Sequence, residues 1–347
     1  MTRRGIASIV LLLLLVTACG GGGRSDGPEA EETAGGPAPT GDSLVDLVRT
    51  LPELPDADTF VVTFGDVEGI ATANAVDVPT DGDLPSLLDW SLSAGADGVP
   101  VLLPSTLQEV NLNRHQELEA ELGVSLWSTT RYAEVAAPPY RVAVLDGDHG
   151  EAELTEAIGE PDDGVWALGG DELEVDLANR TAARPLGEAL RLATTQDGVA
   201  IASTATLARE AADAEGSLVD DDLDEVLTAL DEVDPVAGVA IRTDLGDEGL
   251  LANGAAYVVD GDAVVGRLVL GYPDDEDATA AASEVEEYFT DGKSLSGLPW
   301  SDLLTVEDVT AEGSVVVVDL SFAGDQRPAV LVQMLLGNVQ DLPQARS

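Results

Sequence analysis

From residue 43 onward the chain switches between two hydrophobic rhythms, and each predicts a different kind of element. Phe60-Val61-Val62-Thr63-Phe64 is a short β-prone run ended by Gly65-Asp66, and Asp66 is placed to cap a helix to about Ala75. Leu84 to Leu92 reads as a short helix with one apolar face. Between Ser105 and Leu122, the positions Leu107, Val110, Leu118 and Leu122 keep helical spacing, which predicts a helix stopped by Gly123. Pro138-Pro139 punctuates the end of this mostly helical stretch.

Beyond Tyr140 the period-two rhythm takes over. Tyr140 to Leu145 reads as a strand and Glu151 to Ile158 as a helix closed by Gly159. Gly164 to Leu168 and Leu173 to Leu177 are expected strands about Gly169-Gly170, the second with its acids pointing outward. Leu190 to Ala193 and Val199 to Ala202 flank a turn ending in Asp197-Gly198, and strands joined so directly must run antiparallel. Ser203 is the expected cap of an alanine-rich helix to about Ala214.

The last third repeats the idiom. Leu223, Val226, Leu227 and Leu230 stripe a helix, and Val236 to Thr243 follows as a strand. Asp260-Gly261-Asp262 joins Ala255 to Val259 with Ala263 to Leu270 in a hairpin. Ala278, Ala281, Ala282, Val285, Tyr288 and Phe289 share one face of a helix stopped at Asp291-Gly292. Ser314 to Phe322 is a strand whose run Val315 to Val318 implies burial on both faces, and a closing helix is expected from about Pro328 to Val339. The class is α+β: antiparallel sheets built from hairpins, with flanking amphipathic helices. Two related units are expected, 43–220 and 221–341, with Pro139 as the alternative boundary.

The amino terminus has a different grammar. Arg3 and Arg4 form a basic start, Ile9 to Val16 an unbroken apolar run, and Val16-Thr17-Ala18 places small residues before Cys19, the chain's single cysteine. The apolar run from Ile6 to Ala18 is about 13 residues, short of the roughly 20 that span a bilayer. An ordinary secretory signal shares the charge and apolar pattern, and Arg3-Arg4 touches the twin-arginine export pattern. With its cysteine so placed, the stretch resembles the lipobox of bacterial lipoproteins. That resemblance implies cleavage between Ala18 and Cys19, a diacylglyceryl group on the Cys19 sulfur, and an acylated new terminus. The expected location is therefore the cell membrane, lipid-anchored, on its extracytoplasmic face. Residues 19–42 contain the lipidated cysteine and then no large apolar side chain, and read as a disordered tether with a root-mean-square span of about 25 to 30 Å. Leu145-Asp146-Gly147-Asp148, Ala189 to Ala193, Asp197 to Ser203, and Gly216-Ser217-Leu218 with Asp220-Asp221-Asp222 are also similar in pattern to exported lipoproteins of high-GC bacteria. That likeness covers roughly residues 55–340. The group carries no assigned activity, so it implies localisation and fold class alone.

Charge narrows the partners. Sixty-six acids face 16 bases for a formal net of −50, and removing residues 1–18 would take this to −52. Such a field repels nucleic acid and anionic headgroups, so no nucleic-acid partner is expected. Fifteen arginines against one lysine, Lys293, fit high-GC codon usage, and the acid excess fits either salt adaptation or codon bias. With Cys19 consumed by its thioether, no disulfide is available and stability must come from packing.

Reactive constellations are sparse. His115 falls on the expected helix among Arg114, Glu117 and Glu119, a solvated face; His149 falls in the turn Asp146-Gly147-Asp148-His149-Gly150. Asp146 and Asp148 are spaced like the first two ligands of a calcium loop, but Gly150 and Ala157 stand where the third and twelfth ligands belong. The turn therefore reads as structural, with Asp146 and Asp148 the candidates if a cation binds; no other cofactor is expected. Asp220-Asp221-Asp222 and Asp274 to Asp277 open helices and read as caps. Gly292-Lys293-Ser294 imitates a phosphate loop without its first glycine, Glu287 standing there. Asn179-Arg180-Thr181 matches a glycosylation acceptor, and Trp90, Trp127, Trp166 and Trp300 read as core. The closing apolar run Ala329 to Leu336 is too short to span a bilayer and reads as a buried helix. The expected role is non-enzymatic: binding, structural or accessory. The alternatives are a solute-binding lipoprotein of a transporter and a carboxylate-dependent hydrolase using Asp146 and Asp148.

Overall fold

The computed structural model describes residues 43–78, 80, 84–93, 98–107, 114–214, 216–243, 249–261, 263–294, 297–322, 328–338 and 342. Residues 1–42, with the expected signal peptide, Ala18, Cys19 and the expected tether, lie outside the described residues. The fold is α+β, built on one antiparallel sheet of 11 strands. These are β1 (Phe60–Asp66), β2 (Thr129–Ala137), β3 (Tyr140–Gly147), β4 (Trp166–Leu168), β5 (Leu190–Thr194), β6 (Gly198–Ala202), β7 (Ala237–Arg242), β8 (Ala252–Asp260), β9 (Ala263–Gly271), β10 (Leu304–Glu312) and β11 (Val315–Phe322). Across the sheet the order is β10-β11-β9-β8-β7-β1-β2-β3-β6-β5-β4.

That order contains a repetition. Outward from the β1·β7 pair, one side runs β1-β2-β3-β6-β5 and the other β7-β8-β9-β11-β10, the same path in both. The helices follow it: α1 (Leu44–Arg49) and α7 (Asp221–Asp231) precede the two central strands, while α5 (Glu151–Ile158) and α8 (Asp275–Asp291) connect β3 onward and β9 onward. Because β1 and β7 pair antiparallel, Val62 opposite Ala240, the halves meet as a two-fold axis through the seam would relate them. The stretches 43–220 and 221–341 are thus two halves of one continuous sheet. The first half carries two additions: α2 (Val67–Ala73), α3 (Leu84–Ser93) and α4 (His115–Leu122) between β1 and β2, and β4 with an excursion at 169–189 between α5 and β5.

Alternation along the strands divides the apolar residues between two layers. Val315 and Val317 join the layer under α1, α6 (Ala205–Ala212) and α7, while Val316 and Val318 join the layer under α2 to α5, α8 and α9 (Val330–Asn338). Each helix turns an apolar stripe inward, as in Leu223, Val226, Leu227 and Leu230 of α7. Acids begin the helices because their carboxylates accept the orphan N–H groups of the first turn: Asp66, Asp220 and Asp274 each cap in this way, and Ser43 with Asp46 forms a capping box. At the seam, Gly65 makes room for a buried tyrosine, since a Cβ there would sit 2.5 Å from the Tyr132 hydroxyl.

Several expectations need correction. Among the described residues of the stretch expected as one helix are Ser105–Leu107, a 3-10 turn, and α4, which starts after its N-cap Arg114; Val110 lies outside the described residues. Pro138-Pro139 is the turn of the β2–β3 hairpin, with Ala137 opposite Tyr140, and bounds nothing. Strand β2 went unread because Arg131 and Glu134 interrupt its apolar pattern, and Glu134 is nevertheless buried. Strand β10 hid for the opposite reason: an edge strand with a register shift between Val306 and Asp308, it is exposed over most of its length. Leu173 to Leu177 is no strand of the sheet; Val175 makes one isolated bridge to Glu188, and the apolar side chains point outward. Thr204, one residue beyond Ser203, caps α6.

Candidate functional site

Asp146 and Asp148, neighbours in sequence spacing, are parted by the end of β3. Asp146 is buried and its Oδ2 accepts from Arg131 Nη2 at 2.6 Å, whereas Asp148 is exposed. Among the described residues, no group of three or more His, Cys, Asp or Glu side chains is placed to hold a metal ion. His149 is buried, its Nε2 3.1 Å from the Thr129 hydroxyl. Burial drives its pKa down to about 4, against the pull of the Asp148 and Glu153 carboxylates. His115 is half-buried rather than solvated, its ring edge-on to Trp127 at 5.1 Å. His115 and Trp127 line a cavity of about 20 Å³ with Leu87, Leu107 and Leu118, room for one water and no larger ligand. Trp90, Trp166 and Trp300 are core residues.

A polar network around the buried Glu134 is a further candidate, one that the sequence alone does not single out. Glu134, in the middle of β2, accepts from the Ser105 backbone N–H at 2.8 Å and from the Ser105 hydroxyl at 2.5 Å. Arg141 on β3 donates from Nη1 to the Ser105 hydroxyl at 3.1 Å and from Nη2 to Glu188 at 3.0 Å. Glu188 also accepts from the Leu186 N–H at 2.9 Å. Burial pushes the Glu134 carboxyl above the usual carboxylate range, and the Ser105 hydrogen bonds and the Arg141 charge pull it back. The Ser105 hydroxyl gives its proton to one partner and a lone pair to the other, so the network ties three segments together. Its sequence signal was present: a glutamate inside Tyr132-Ala133-Glu134-Val135, and an arginine opening an otherwise apolar strand.

The segment clamped at Glu188 is the excursion 169–189. Glu121 of α4 holds its middle, accepting from the Thr181 hydroxyl at 2.6 Å, the Ala183 N–H at 3.2 Å and Arg184 at 3.3 Å. Arg191 reaches back to the Gly170 carbonyl at 2.8 Å. The Val175–Glu188 bridge is flanked by Asp176 N–H to Gly187 O at 3.0 Å and Ala189 N–H to Glu174 O at 3.2 Å. Gly187, at φ 74, is required there because a Cβ would fall 1.9 Å from the Asp176 carbonyl oxygen. On this fastened base Leu173, Val175, Leu177 and Leu186 stand exposed at 38 to 57%. Leu173 holds φ 60, a conformation in which a bulky side chain is rare and strained.

No protein-family model matches the chain, and no curated protein matches it. Two solved structures, crystal forms III and IV of TP0453, are similar to it at 10% and 8% identity, covering 84% of this chain and 98% and 96% of theirs, with TM-scores of 0.37 and 0.39.

Proposed function

We propose that this chain is a lipoprotein anchored through Cys19 at the extracytoplasmic face of the cell membrane, and that it works by binding rather than by catalysis. The observation that carries the location is Val16-Thr17-Ala18-Cys19 after a short apolar run. Among the described residues no helix is long and apolar enough to cross a membrane. Binding is supported by the excursion, where half-buried ion pairs and hydrogen bonds hold a base on which apolar side chains stand in water. The antiparallel sheet weighs against a two-lobed solute receptor, which is built on parallel strand-helix-strand units. The Arg131 partner of Asp146 weighs against a free carboxylate pair.

Metabolic labelling with a fatty-acid analogue tests the anchor. The wild-type chain takes the label and sediments with membranes, and Cys19→Ser does neither. Label retained by the Cys19→Ser chain would overturn the anchor, and hydrolysis of an ester, peptide or glycoside panel by the purified chain would overturn the non-catalytic role.

A further inference from the structure

We infer that the excursion 169–189 is a docking surface for a second polypeptide that offers an apolar recess ringed by lysine or arginine. The inference rests on the binding role proposed above and names its partner. Four of the five large apolar side chains that stand exposed among the described residues are in this one excursion. The bridge between Val175 and Glu188 brings the stretch that carries Leu173, Val175 and Leu177 alongside the turn that carries Leu186. Apolar side chains on a base this firmly tied lose little freedom on binding, which is what a preorganised contact requires.

Charge selects the occupant. Between residues 159 and 189 the chain carries eight acids, Asp171, Glu172, Glu174 and Asp176 among those beside the leucines, and two arginines. One of the two, Arg184, is engaged by Glu121. A second copy of this chain, itself at −50, is repelled by that rim, and so is an anionic headgroup layer. A basic-rimmed apolar recess is attracted by the same charges and steered onto the leucines. The surface lies beside β4, at one extreme of the sheet, so a partner seated there leaves β10 at the opposite extreme untouched.

The test uses the full lipidated chain in the bacterium that makes it, with a benzophenone amino acid in place of Leu177 or, as control, of the exposed Glu312 on β10. The expected result is a discrete polypeptide adduct from position 177 and none from 312. The captured protein, identified and purified, should bind the wild-type chain with an affinity that falls at least tenfold on Leu177→Asp and on Leu186→Asp. The thermal midpoints of both variants should be unchanged, and the affinity should weaken as salt rises. An adduct at twice the chain's own mass, an adduct to lipid, or affinity indifferent to salt and to both variants would overturn the inference. An adduct from 312 alone would overturn this surface and leave a binding role standing elsewhere. Silence at both positions would overturn the two together.

Discussion

Strands β1 to β6 and strands β7 to β11 follow the same path away from the seam, yet what they bury differs in kind. On β2 and β3, Glu134 is buried against Ser105 and Asp146 against Arg131, and His149 and Thr129 are buried with them. On β9 and β11 the corresponding arginine works at the margin: Arg267 binds the half-exposed Asp319 through two hydrogen bonds of 2.8 and 3.1 Å and reaches the Ala229 carbonyl of α7 at 3.0 Å. Beneath it, Val315 to Val318 fill both layers with hydrocarbon. Repeating a path therefore does not repeat the energetics. The half with the insertions also holds the buried charge, because those insertions bring the Ser105 and Glu188 segments over the hairpin and have to be fastened there.

The sharpest way to break this contrast is to remove one arginine from each half. Arg141→Ala would strip the Ser105 hydroxyl of a donor, take the ion pair from Glu188 and leave Glu134 buried without the positive charge that lowers its pKa. Breaking a largely buried pair from one side should cost about 3 kcal/mol. Arg267→Ala, with Asp319 free to hydrate, should cost about 1 kcal/mol. Urea midpoints at constant m-value give both numbers. Equal losses would mean that the two halves use their arginines alike.

Acid should expose the same asymmetry. The unfolded chain protonates His149 near its ordinary 6.5, while burial in the folded chain delays protonation to about 4. Between those values the unfolded state binds more protons, so stability falls as pH drops through the window, by roughly 3 kcal/mol in all. Glu134 acts with the opposite sign. Its raised folded pKa means the folded state takes up a proton first as pH falls, which adds stability in acid and removes it as pH rises through the folded value. His149→Gln should therefore flatten the loss between pH 6.5 and 4, and Glu134→Gln should steepen it. A pH profile unchanged by His149→Gln would place the acid sensitivity elsewhere.

Much of this fold can be read from residues alone, and the misses share one cause. The hairpin at Asp260-Gly261, the stripe of α7 and the doubly buried valines of β11 follow from local chemistry that no distant contact overrides. Strand β2 and the Glu134 network depend on partners from Ser105 and Glu188, 29 and 54 positions away, and a buried glutamate looks in sequence like an exposed one. The pattern Leu173-Glu174-Val175-Asp176-Leu177 misled in the other direction. Its alternation is real, but with no strand laid over it the apolar side faces water. For the candidate site, Asp146 and His149 were visible as residue types, and what they touch was not.

The pairing of β1 with β2, beside the seam, offers a smaller effect. Gly65→Ala would drive a methyl to 2.5 Å from the Tyr132 hydroxyl and 2.7 Å from the ring carbon bearing it. Overpacking of this kind costs about 1 to 3 kcal/mol. Tyr132→Phe removes the nearer atom, so the double variant should recover part of the loss relative to the sum of the two. Strict additivity in that cycle would show that the spacing between β1 and β2 gives way instead of the side chain.

The smallest expected effect concerns the two helices that precede the central strands. Arg49 at the end of α1 crosses to α7, donating to Asp224 at 2.9 and 3.0 Å and to the Thr228 hydroxyl at 3.0 Å, and it also pairs with Asp46 at 3.1 Å. Side chains a third to a half exposed hold such pairs against water and salt, so Arg49→Ala should cost about 0.5 kcal/mol at physiological ionic strength and nearly nothing in molar salt. Unlike the Arg141 clamp, this strap has apolar packing to carry the joint without it: Leu44, Val45, Leu47 and Val48 of α1 and Leu223, Val226 and Leu227 of α7 belong to one buried layer. A loss of 2 kcal/mol or more that salt does not diminish would mean that the arginine sets the docking of α1 on α7. The two halves would then be joined by a charge contact that salt does not screen, in addition to their shared apolar layer.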